Sequence, residues 1–183
     1  MAYGVIIESR IQATNIDALN RTAQAEVAVA GGGLIALTES GVQGDEVWTA
    51  EAPDSETVGD LWIAYNPAEH LTDVNGKMFA GLSADPRDYT NLANRPFDCF
   101  KPKVGDEIDI TADCVDATKT NIVVGDILES KSGQTTFTRI AKASGATAGH
   151  TAFRVEYIGV NPFPQAGIGM EQATVYRCVC IQE

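Results

Sequence analysis

The side chains with the most chemical potential in this 183-residue chain are four cysteines, two histidines and a set of alternating carboxylates. Cys178 and Cys180 are separated only by Val179. On a strand that spacing sets both thiols on one face, roughly 6.6–7 Å apart along the backbone. Structural zinc favours two-residue spacers in tight turns and a second ligand pair elsewhere. Cys99 and Cys114 stand singly, so the pattern predicts free, buried thiols. His70 and His150 carry imidazoles suited to general-base work, but neither sits in a pattern that supplies a nucleophile and an orienting acid. Ser83, in Gly81-Leu-Ser-Ala84, lacks the second glycine of a nucleophile elbow. Gly31-Gly32-Gly33 lacks the lysine and hydroxyl residue of a phosphate loop. Glu107, Asp109 and Asp113 invite a calcium reading, yet calcium needs six to eight converging oxygens. Alternation along a strand spreads the carboxylates, so a solvated acidic face is expected. Asp85, Arg87 and Asp88 read as a polar loop with a local ion pair. No catalytic residue, cofactor site or metal site is therefore expected.

The elements that position these residues are marked by four Gly-Asp pairs, at 44–45, 59–60, 105–106 and 125–126, each followed by an apolar stretch. Glycine supplies a positive φ without steric cost and Asp bonds its own backbone, so the pair ends one strand and opens the next. The spacing predicts an all-β protein, a β-barrel or β-sandwich of about ten short strands. Residues 1–24 read as an extended N-terminal arm, or an edge strand at Val5-Ile6-Ile7, and residues 25–183 as a single β domain. Within 15–30 two patterns compete. Asn15 could cap a helix bearing Ile16, Leu19, Ala23 and Val27, whereas residues 25–30 fit a strand with Val27 and Val29 on one face; the strand is favoured. Strands are also expected at 34–37, 47–49, 61–65, 107–115, 122–124, 127–128, 135–142, 151–160 and 173–182. In 107–115, Ile108, Ile110, Ala112 and Cys114 point inward while Glu107, Asp109, Thr111 and Asp113 point out. Phe153, Val155 and Tyr157 should share a face. Residues 66–96 form a long loop excursion, with Asn75-Gly76 as a hairpin tip between 72–74 and 77–79. A Pro/Gly loop is expected over 161–170, Gly167-Ile-Gly169 being a turn within it.

The totals narrow the function. A net charge of −12, with 13 basic residues scattered singly, argues against a nucleic-acid surface. No run approaches the roughly 18 apolar residues of a membrane helix, and the first ten residues show no secretory leader. Trp48, Trp62 and Tyr65 read as core rather than as a ligand platform. Phe163, between two prolines, is held stiffly. It is either an anchor at a protein interface or a core plug. Ile6 and Ile7 in the arm are the other interface candidates.

Three segments carry a family resemblance: Glu46-Val-Trp-Thr-Ala50 with Pro53, Leu61-Trp-Ile-Ala64, and Phe100-Lys-Pro-Lys-Val-Gly-Asp-Glu-Ile-Asp-Ile-Thr111. In that order they resemble small structural proteins of tailed bacteriophages, in the head-protein neighbourhood. The Phe163-to-Met170 loop and the closing strand look like the same group. The similarity spans most of residues 25–183 and is one of pattern, with no catalytic signature. It implies a non-enzymatic virion protein assembled in the host cytoplasm, of the capsid decoration (cement) type. Its partner would be the major capsid protein, with self-association on the shell and no cofactor. Nucleic acid and membrane would not be contacted. A tail-tube or head–tail connector subunit and a small-ligand-binding β-barrel remain open as alternatives.

Overall fold

The computed structural model describes residues 3–41, 44–67, 71–74, 77–80, 85–164 and 170–183. The chain is all-β. A closed barrel is formed by β2 (Asn20–Ala25), β4 (Gly44–Glu51), β3 (Leu34–Gly41), β5 (Trp62–Ala64) and β8 (Pro96–Phe100), in that spatial order. A six-stranded antiparallel sheet runs β1 (Ile6–Arg10), β9 (Glu107–Thr111), β13 (Met170–Gln182), β12 (Ala152–Pro164), β10 (Ile127–Glu129), β11 (Thr138–Ile140). A separate hairpin, β6 (Leu71–Val74) with β7 (Lys77–Ala80), lies in the 66–96 excursion. Its strands flank Asn75-Gly76 as expected, although the tip itself, like His70, Ser83 and Gly167-Ile-Gly169, lies outside the described residues.

Period-two alternation lets single strands serve two cores. Ala23, Ala25, Ala50, Ala64 and Cys99 point into the barrel with Ile35 and Phe97. Five strands enclose a narrow cross-section, which small side chains fill. Their neighbours Leu34, Ile63 and Phe100 point out of the barrel and pack with Ile108, Ile110, Phe153, Val155 and Cys178 of the sheet. The barrel wall is thus covered by the sheet.

Two Gly-Asp pairs work as the sequence predicts, and with near-symmetry about the β12–β13 hairpin. Gly105 and Gly125 take φ of +96° and +92° at the third position of tight turns. Asp106 accepts the backbone N–H of Lys103 at 2.9 Å and of Gln12 at 3.0 Å. Asp126 accepts that of Val123 at 3.0 Å and of Lys142 at 3.1 Å. Gln12 and Lys142 each lie two residues beyond an edge strand, β1 and β11 respectively. Each buried carboxylate therefore ties the start of an inner strand to the end of the outer one.

Several expectations need correction. Residues 1–24 are no separate arm: the edge-strand alternative holds, since β1 pairs with β9 as the outermost strand of the sheet, and β2, which crosses the 24/25 boundary, is a barrel strand. The favoured strand over 25–30 is instead a bend: Val29 is buried but Val27 is 66 % exposed. The competing helix amounts to short 3-10 turns at Gln12–Thr14 and Asp17–Leu19. Val123 and Val124 are exposed turn residues, because the Asp126 carboxylate recruits the Val123 N–H into the turn. The 107–115 strand stops at Thr111, whose buried hydroxyl accepts the Val5 N–H at 3.0 Å and so faces inward. A bulge between Val155 and Tyr157 turns Tyr157 out to the solvent. Residues 161–164 continue β12 rather than entering a loop.

Candidate functional site

The β12–β13 hairpin is much longer than the sheet that carries it. β9 pairs with β13 only from Val175 to Val179, and β10 with β12 only over 152–154. The two long strands nonetheless pair on to Pro164↔Met170. Residues 159–164 and 170–174 thus form a two-stranded ribbon beyond both flanking strands.

The ribbon has two unlike faces. Phe163, the candidate interface residue, lies on the covered one and is 4 % exposed. The Arg87 guanidinium sits 5.0 Å from its ring centroid. Arg87 in turn pairs with Asp85 at 2.6 Å and with Glu171 of the ribbon at 2.7 Å. The expected local ion pair at 85–88 is therefore a buried clamp that fastens the ribbon to the 85–88 turn. Burial pushes the Asp85 carboxyl up, but the side chain and backbone N–H of Arg87 outweigh it and hold the group below its ordinary range. Phe163 is a plug, not a protruding anchor. Ile6 is likewise buried at 1 %, facing Ile110 across β1–β9, and Ile7 is half-buried.

The opposite face of the ribbon extends the core-facing line of Ile158 and Tyr176. Beyond the sheet that line becomes Val160, Pro162, Gln172, Thr174 and Met170, all exposed and all uncharged. Val160 and Met170 are 63 % and 65 % exposed. Sequence reasoning drew attention to this segment through Phe163, read it as a loop and left that residue open between anchor and plug; the exposed strip on the opposite face was not foreseen. The missed signal was the alternation of 158, 160 and 162 continuing past the sheet. On the other face Tyr157 lies over Gly159, where a Cβ would come within 2.6 Å of the ring.

Both edges of the six-stranded sheet are blunted. The Asn66 amide accepts the Ile6 N–H at 3.0 Å and donates to the Ile6 carbonyl, copying one rung of a ladder on β1. At the other edge the Thr118 hydroxyl accepts the Arg139 N–H at 2.9 Å. Such capping disfavours strand addition by another chain.

The other chemistry-bearing residues are placed as follows. The four cysteines are free and buried, and burial pushes the Cys99, Cys114 and Cys180 thiols up to about 12 and Cys178 higher still. They are protonated and inert as nucleophiles. Asp109 and Glu107 face Arg177, at 2.9 and 3.4 Å, and Asp113 faces Lys119 at 2.9 Å. Those carboxylates neutralise cations across the strands instead of converging. Among the described residues no three His, Cys, Asp or Glu side chains are grouped to hold a metal. His150 Nδ1 lies 2.9 Å from the Ser130 carbonyl, while the Ser130 hydroxyl donates to Val58, so the two do not form a nucleophile–base pair. A groove of about 1150 Å³ runs between β1, the barrel and residues 90–98, lined by Trp48, Tyr65 and Phe97 among others.

Comparison with protein-family models, curated proteins and solved structures finds no match to this chain. What the chain does must therefore be argued from its own surfaces. The ribbon face stands apart by carrying no charge, and the groove by its aromatic lining.

Proposed function

We propose that the protein is a non-enzymatic capsid decoration protein of a tailed bacteriophage, gripping the outer surface of the assembled shell through the β12–β13 ribbon. The observation that carries this reading is the exposed, charge-free strip of Val160, Pro162, Gln172, Thr174 and Met170. On a chain of net charge −12 such a strip is where another protein can dock without desolvating ions. The Arg87 clamp supports it by holding the ribbon rigid before binding, which lowers the ordering cost. The acidic remainder suits a position facing away from packaged DNA. The sequence resemblance in residues 46–64 and 100–111 points to the same class. Binding to the mature shell and not its precursor would stabilise the mature state by mass action. Cosedimentation with expanded shells tests this. Saturable binding that raises their resistance to heat is expected, and failure to bind any shell form would remove the reading. Rings or tubes formed by the isolated protein would favour the tail-tube alternative instead.

A further inference from the structure

The groove beside β1 is lined by charged and aromatic side chains, unlike the uncharged ribbon strip. Two half-buried aromatic residues line it from different sides: Trp48, in register with the inward-facing Ala23 at the end of the barrel, and Tyr65, packed on Phe100 outside the barrel at 4.9 Å. The side-chain heads of Glu8, Glu46 and Arg95 line it and have no hydrogen-bond or ion-pair partner among the described residues. At about 1150 Å³ it exceeds the roughly 300–1,000 Å³ usual for a small-molecule site, so it suits an oligomer better than a single ring.

The surroundings narrow the ligand class. Every strand of the barrel is paired on both sides, and the one nearby sheet edge, at Ile6, is already occupied by Asn66. An extended peptide would find no ladder there. Glu8 and Glu46 repel a polyanion, and burial raises the Glu8 carboxyl above its ordinary range, so the site disfavours added negative charge. Of the other charged lining groups, Arg21 donates to the Asn20 carbonyl and Asp98 accepts from Thr22; what fits the two rings, the free Glu8 and Glu46 carboxylates and the free Arg95 guanidinium is an uncharged, polyhydroxylated chain. Its C–H faces would lie on the rings, and its hydroxyls would donate to carboxylate oxygens and accept from the guanidinium.

We propose that this groove binds a neutral oligosaccharide, with Trp48 and Tyr65 as separate stacking platforms along it and Glu8, Glu46 and Arg95 as its hydrogen-bonding heads. The proposal is independent of capsid binding and is tested on the isolated full chain. Calorimetric titration with maltohexaose, cellohexaose and the N-acetylglucosamine hexamer should show saturable binding of at least one. That affinity should fall at least tenfold in Trp48→Ala and in the exposed-site variants Glu46→Gln and Arg95→Ala. It should be unchanged in Val160→Glu, on the ribbon. No binding of any of the three, or affinity unaltered by all three groove variants, overturns the proposal. Preference for an oligolysine peptide also overturns it and would make the groove a site for a basic protein segment.

Discussion

Asp126 shows how much of the fold rests on single side chains. It is 1 % exposed and receives two backbone N–H groups and the Arg139 guanidinium, the last at 2.6 Å. Burial raises its carboxyl, but these donors prevail and hold it below the ordinary range. A folded pKa below the unfolded value of about 3.9 contributes stability above that value. The contribution is lost as pH falls through the folded pKa. Asp126→Asn should cost about 2–4 kcal/mol near neutrality. Urea titrations from pH 7 to pH 2 should show the gap to wild type closing below about pH 3.9. An unchanged gap at pH 2 would contradict this assignment. At β9, Ile110 is fully buried whereas Asp109 faces solvent and Arg177. Ile110→Asp should unfold or aggregate the protein, while Asp109→Asn should shift stability by less than about 1 kcal/mol in a thermal melt. Similar melts for the two would invert the register of this strand.

At the scale of elements, the turns were legible in the sequence and the ends of the strands were not. Gly105 and Gly125 declared their positions because only glycine takes a φ near +90° without strain. Nothing lies within 4 Å of a Cβ built at Gly105, so Gly105→Ala isolates the backbone effect. It should cost about 1–2 kcal/mol in chemical denaturation, and a neutral result would mean the turn relaxes. Ile108 and Ile110 were read correctly because one face of β9 is buried and the other wet. Tyr157 was not, because one bulge reverses parity and leaves no mark in composition. Thr111 and Val123 were misread for a related reason: side-chain hydrogen bonds to the neighbouring strand at Val5 and within the turn from Asp126 decide their facing. Phe163 was left open between anchor and plug for another reason: its burial depends on Arg87, 76 residues earlier in the chain. The Asn66 amide that blunts β1 was equally hidden in the sequence.

For the whole molecule, a barrel welded to a sheet through one shared core is a rigid support, and the ribbon is the part that outreaches it. Capped edges at Ile6 and Arg139 disfavour strand addition at the rims of the sheet and leave the ribbon, which runs past β9 and β10, as its open part. Val160→Glu and Met170→Glu should leave the melting temperature within a few degrees of wild type, since both sites are exposed. The same changes put a charge into any contact made by the strip. The decisive measurement for the proposed decoration role is cosedimentation of wild type and the Val160→Glu/Met170→Glu double variant with expanded shells of tailed bacteriophages. Wild type should bind saturably and the folded double variant at least tenfold more weakly. Equal binding by the two, or none by wild type, would contradict a ribbon that grips the capsid.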